Sequence, residues 1–117
     1  MNAFKELGGK VQQFAEERDW AQFHSPKNLS MALAVECAEL MEHFQWLTES
    51  QSRRLGRKQL REIEMELADV QIYLIRLSQV LGVDLISASK KKLVDNARKY
   101  PVSKARGSAK KYTELGK

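Results

Sequence analysis

The chain contains two prolines, and each stands where a helix must start or stop. Pro26 follows Ser25, the order in which a side-chain cap precedes a proline at the first helical position. Pro101 follows Tyr100, and a residue before proline is steered away from the α region, so a long helix ends there. Glycines are few as well, and no apolar–polar alternation of the strand type stands out. The chain is therefore expected to be all-α, with four helices over about 2–17, 26–46, 57–81 and 84–99. Gly82 is the expected C-terminal stop of the third, and Asp84 the N-cap of the fourth. The stretch from Leu47 to Gly56 reads as a loop or short turn. These elements imply a four-helix-bundle-like domain over residues 1–102, followed by a small, polar, basic stretch, 103–117, read as a mobile tail.

With 117 residues, the chain can build one hydrophobic core. No apolar run approaches the roughly 18–20 residues that span a bilayer, so no membrane partner is expected. The opening MNAFKELGGK has no apolar secretion core. A single cysteine, Cys37, leaves no disulfide framework and no cysteine-based zinc cluster. A cytoplasmic protein is the simplest reading. The net charge of +5 favours an anionic partner without separating nucleotides, nucleic acids and acidic proteins.

The segment VECAELMEHFQW, residues 35–46, carries the first chemical signal. On a helical wheel with Glu36 at zero, Leu29, Leu33, Cys37, Leu40, Met41 and Phe44 fill one arc of about 20–140°. Glu39 and His43 fall beside Glu36, at about 300° and 340°. With Glu66 at zero on the next long helix, Leu60, Ile63, Leu67, Val70, Leu74 and Leu81 fill about 40–120°, while Glu62, Asp69 and Tyr73 lie near 300–340°. Each helix thus carries an acid pair, Glu36/Glu39 and Glu66/Asp69, at i and i+3 on the same flank of its apolar stripe. If the stripes pack antiparallel, four carboxylates converge. Such a group repels itself and resists desolvation unless it is protonated, paired or bound to metal. An all-oxygen set suits Mg²⁺ or Mn²⁺, which commonly also hold phosphates. Redox di-metal bundles use Glu-x-x-His, which is absent from this chain.

The segment FAEERDWAQFHSPKNLSMALAVECAELMEHFQW (14–46), followed in order by MELADVQIYLIRL (65–77), DNARKYP (95–101) and KKYTEL (110–115), resembles the MazG-like, all-α nucleoside triphosphate pyrophosphohydrolases, and among these the small dCTP pyrophosphatase branch. The resemblance implies Mg²⁺-dependent cleavage of a nucleoside triphosphate, a dCTP-like pyrimidine deoxynucleotide, to the monophosphate and pyrophosphate. The role implied is control of the dNTP pool or clearance of modified nucleotides. It further implies a homo-oligomer with shared sites, a tetramer in preference to a dimer. By position, Glu36, Glu39, Glu66 and Asp69 would be the metal ligands, and Glu36 or Glu39 the base that activates water. Trp20, His24, Trp46 and Tyr73 correspond to residues lining the base and sugar pocket. Asn96 would touch sugar or phosphates, and Lys99, Lys111 and Tyr112 would lie near the phosphates. Val11 stands where close members of that branch have histidine, which weakens strict cytosine selectivity.

Each of these residues also has a purely structural reading. Trp20 and Trp46 read as core or interface anchors, His24 as a cap, Tyr73 as a cover for the helix pair, His43 as structural and Cys37 as core. Residues 89–111 hold nine Lys or Arg against one acid, Asp95. A basic helical nucleic-acid-binding or interaction protein is the alternative, but no interleaved aromatic pattern or DNA-binding motif supports a specific nucleic-acid partner.

Overall fold

The computed structural model describes residues 2–116, and among these there are helices and no strands. The chain divides into two compact units, Met1–Val83 and Asp84–Lys117. The first contains α1 (Ala3–Glu17), α2 (Pro26–Glu42), the short α3 (Glu49–Ser52) and α4 (Arg57–Leu81), with a 3₁₀ turn at Ala21–Phe23. The second contains α5 (Leu85–Lys99), the short α6 (Val102–Ala105) and a 3₁₀ turn at Tyr112–Glu114. The segment expected to be a mobile tail thus includes two short helical turns. No single helix is long and apolar enough to cross a membrane.

Local chemistry sets the helix ends. Ser25 caps α2, its side chain accepting from the Asn28 N–H at 3.1 Å, with Pro26 in the first turn. Gly82 closes α4 at φ 69°, and the Val83 N–H reaches Ser78 O while the Gly82 N–H reaches Gln79 O. That paired closure needs a left-handed residue, which glycine adopts at no cost. Asp84 caps α5 through the Ser87 N–H at 3.0 Å. The same closure ends α1 with a different residue. Asp19 sits at φ 53°, with the Trp20 N–H on Ala15 O and the Asp19 N–H on Glu16 O. The turn folds Trp20 back onto the last turns of α1, where its ring meets Phe14 edge-on at 5.7 Å.

Two boundaries differ from the sequence reading. Helix α2 stops at Glu42 rather than 46. The Phe44 and Leu47 N–H groups bond three residues back, so the backbone tightens into turns through the bulky His-Phe-Gln-Trp run. The expected loop contains α3, begun by a reciprocal cap. Thr48 Oγ1 accepts from the Gln51 N–H, and Gln51 Oε1 accepts from the Thr48 N–H. The Thr-x-x-Gln spacing was the available signal.

Helix α4 is the central element of the first unit, and both α2 and α1 pack on it. Val11, Ala15, Leu29, Ile63 and Ile75 are the buried apolar residues among those described. The expected stripe is covered only in part. Ile63 is buried, whereas Leu60, Leu67 and Leu81 are about half exposed, at 52%, 51% and 54%. Cys37, expected in the core, is exposed, and so is Met41. The covering helices enclose one side of the wide apolar arc and leave the other bare. Leu29, at 1% exposure, has no comparable freedom. Leu29→Ala should destabilise the fold by about 2–5 kcal/mol, read as a lower denaturant midpoint at unchanged slope.

Candidate active site

Helices α2 and α4 bring Glu36, Glu39 and Glu66 together, with one carboxylate oxygen from each lying within 4.8 Å of the other two. All three side chains are half-buried. Glu36 Oε2 and Glu66 Oε2 are buried without a hydrogen-bond partner. When ionised, these carboxylates have no donor to offer one another, and buried acceptors left unpaired are costly. The Glu36 carboxyl is pushed up from 4.5 to about 7, first by burial, then by sharing a proton with Glu66 and Glu39, and then by the charges of Glu39 and Asp69. The site therefore wants positive charge, and a proton is its minimal form.

A divalent cation fits better. Oxygen ligands on Mg²⁺ at about 2.0–2.1 Å stand at most about 4.2 Å apart, so small side-chain rotations close the measured spread. An ion there would bind the two orphaned oxygens and neutralise the repulsion. The three-residue cluster leaves out Asp69, the fourth expected ligand. Asp69 is exposed and near enough for its charge to act on Glu36.

Asp69 links the acids to a cleft of about 420 Å³ in the first unit. Trp20, His24 and Tyr73, three of the four residues expected around the base and sugar, line it with Asp69. Trp20 is held by Phe14 and meets the His24 ring at 6.4 Å, interplanar angle 67°. Phe14, Ile72 and Val11 supply apolar wall. Trp46 does not line this cleft and is 86% exposed, beyond the end of α2. His43 ends α2 as its C-cap.

The sequence reading missed Arg76. Its side chain is buried, at 8% exposure, and lines the cleft. Its Nε–H donates to His24 Nδ1 at 2.9 Å, and its Nη1 donates to Gln79 Oε1 at 3.2 Å. Gln79 Nε2 in turn donates to Gly8 O at 2.7 Å, tying α4 to α1. Burial and then the Arg76 charge lower the His24 pKa, so the ring stays neutral, accepting at Nδ1 and carrying its proton on Nε2. Spacing was the available signal, because residues 69, 73 and 76 follow one flank of α4 at i, i+4 and i+7.

The other expected residues belong to the second unit. Lys99 Nζ lies 3.5 Å from Asp95 Oδ2 and 5.0 Å from the Tyr112 ring centre. Tyr112 meets Tyr100 edge-on at 6.1 Å, Lys111 precedes it, and Asn96 is half-buried on α5. Lys99 and Tyr112 are thus neighbours.

The raised Glu36 pKa has a defined consequence for stability. An acid whose folded pKa lies above its unfolded value favours the fold most when protonated, so its contribution is full below about 4.5 and is lost as pH rises through about 7. In chelator, the melting temperature should fall between about pH 5 and pH 7.5. Mg²⁺ should restore it, most strongly at the upper end. Glu36→Gln should flatten both the slope and the Mg²⁺ response in thermal melts, and an unchanged slope would contradict this account of the cluster.

The MazG-like family model matches residues 31–115. Over 105 residues the chain is 46% identical to dCTP pyrophosphatase 1 of Homo sapiens, covering 88% of this chain and 62% of that protein. For dCTP pyrophosphatase 1 of Mus musculus the identity is 47% with the same coverage. The chain thus spans less than two thirds of the length of these relatives. A crystal structure of a pyrophosphatase from Archaeoglobus fulgidus DSM 4304 superimposes with a TM-score of 0.82 at 37% identity, covering 86% of this chain and 94% of that one. The chain belongs to the MazG-like family.

Proposed function

We propose that this chain is a Mg²⁺-dependent nucleotide pyrophosphohydrolase that converts pyrimidine deoxynucleoside triphosphates of the dCTP type to the monophosphate and pyrophosphate. Control of the dNTP pool or clearance of modified nucleotides would be its role. The observation that carries the reading is the pair of orphaned oxygens on Glu36 and Glu66, beside Glu39 and adjoining an aromatic cleft through Asp69. An acid cluster that needs a cation, next to a surface suited to a nucleobase, is what a metal–triphosphate substrate requires. The names of the similar proteins agree with it.

Glu36, Glu39, Glu66 and Asp69 would hold the ion. Bound Mg²⁺, with Mn²⁺ as substitute, supplies neutralisation of triphosphate charge and a more acidic bound water. Glu36 or Glu39, whichever keeps a free oxygen, takes the proton of the attacking water. Trp20 and Tyr73 bind the base and sugar with His24, and stacking on such rings is worth about 1–3 kcal/mol per base. In the second unit, Asn96, Lys99, Lys111 and Tyr112 offer amide, ammonium and hydroxyl groups that suit sugar and phosphates.

We further infer a homo-oligomer, a tetramer in preference to a dimer. Leu60, Leu67 and Leu81 on α4 and the Trp46 indole are left exposed, and large exposed apolar side chains of this kind suit an interface. Trp46 then serves a cleft from a second subunit. Light scattering should return a multiple of the 13.4 kDa chain mass, and Leu67→Arg should shift it toward one chain.

With dCTP and Mg²⁺, the released product should be pyrophosphate rather than orthophosphate. Glu39→Gln and Glu66→Gln should each lower kcat/KM by about 100-fold or more. Full activity in both variants would remove the acid cluster from the reaction.

A further inference from the structure

Arg76 is a cation without a counter-ion. It forms no ion pair among the described residues, although a buried guanidinium ordinarily seeks a carboxylate. Its two side-chain partners, His24 and Gln79, are neutral. Guanidinium carries five N–H donors, and the two hydrogen bonds use one on Nε and one on Nη1. One donor on Nη1 and both on Nη2 remain without a partner among the described residues. The group is fixed from two sides, by His24 beyond the end of α1 and by Gln79 one turn along α4, and it lines the cleft. An interior position for a charge held by neutral partners alone is expensive for the fold, and a ligand that accepts hydrogen bonds offsets that cost.

The remaining donors define what such a ligand presents. The cleft lining is largely apolar, with Leu7, Val11, Phe14 and Ile72, and its other polar side chains are Lys10, Trp20, His24, Tyr73 and Asp69. A planar fork of donors engages two adjacent acceptors in one plane. Among pyrimidines, cytosine has that pair in N3 and O2. Uracil and thymine place an N3–H donor between their two carbonyls, which would face the cation donor-to-donor. Asp69, on the same flank of α4, lies seven residues earlier, or roughly 10 Å along the helix. The cleft thus has an acidic end suited to metal and phosphates and a cationic end suited to the base.

We propose that Arg76 is the specificity-determining residue of the cleft, its free N–H fork taking the adjacent N3 and O2 acceptors of a cytosine-type base. This rests on the nucleotide reading above and adds the residue that selects the base. His24 and Gln79 act as positioning residues that hold the fork in place.

The test compares dCTP, dUTP, dGTP and 3-deaza-dCTP as substrates of the full chain with Mg²⁺. It also titrates dCMP and dUMP without metal, followed by calorimetry. The unaltered protein should prefer dCTP to dUTP, and 3-deaza-dCTP, which lacks the N3 acceptor, should lose about 10-fold or more in kcat/KM. Arg76→Met and Arg76→Lys should lower kcat/KM for dCTP by about 10-fold or more beyond any loss for dUTP, so that the dCTP-to-dUTP ratio collapses, and should weaken dCMP binding by about 10-fold. Equal losses for all bases, an undiminished preference in Arg76→Lys, a preference for dGTP (whose O6 and N7 are also adjacent acceptors), or full use of 3-deaza-dCTP would each overturn the assignment. If Arg76→Met fails to fold, the 3-deaza comparison decides on the unaltered protein. If no triphosphate is hydrolysed, the function proposed above fails, and the dCMP and dUMP titrations of the unaltered and Arg76→Lys proteins still judge Arg76.

Discussion

Repulsion among carboxylates held together by two packed helices is the constraint on which the rest of the molecule depends. Helix α2 packs on α4, Leu29 and Ile63 are among the buried residues of the two helices, and the same packing brings Glu36 and Glu39 to Glu66. Neither helix can relieve the crowding by turning, because rotation would expose the apolar residues that hold the pair together. The core stabilises the fold and in doing so compresses the acids. Glu36 responds by holding a proton to about neutral pH, and two oxygens remain unpaired. Cation affinity is therefore stored in the fold, as the cost that a cation removes.

A second uncompensated charge answers the first. Arg76 is as poorly neutralised as the glutamates, yet it is not paired with them, although Asp69 shares its helix flank. Their seven-residue separation leaves a cleft that carries both charges, with Trp20 and Tyr73 in its lining. The Asp19 turn belongs to the same arrangement. A non-glycine residue at positive φ carries a backbone cost of order 1 kcal/mol, and this one turns Trp20 back against Phe14 and into the cleft.

Much of this was legible in the sequence because it follows short-range rules. Ser25-Pro26, Gly82 and Asp84 mark helix ends through bonds spanning three to five residues, and the structure forms them where the residues require. The acid pairs were legible because the 3.6-residue period fixes their flank relative to the stripe. The less legible features depend on what lies across from a residue. A wheel places Cys37 and Met41 in the apolar arc, but whether an arc is covered depends on which elements pack across it, and here both residues stay exposed. Arg76 escaped for a related reason. An arginine on a polar flank reads as solvated until His24 is found against it and its side chain buried.

The bare part of the α4 stripe is best understood together with the site. A lone protomer could have shortened α4 or placed polar residues at Leu60, Leu67 and Leu81 without touching Glu66 or Asp69, which lie on another flank. Their exposure therefore owes nothing to metal or nucleotide binding within one chain. The homo-oligomer proposed above would cover this surface and the 86% exposed indole of Trp46. On this view α4 is divided lengthwise. One face holds α2 and α1, a flank carries Glu66, Asp69, Tyr73 and Arg76, and the remaining apolar face stays exposed. A 25-residue helix is long enough to present all three faces.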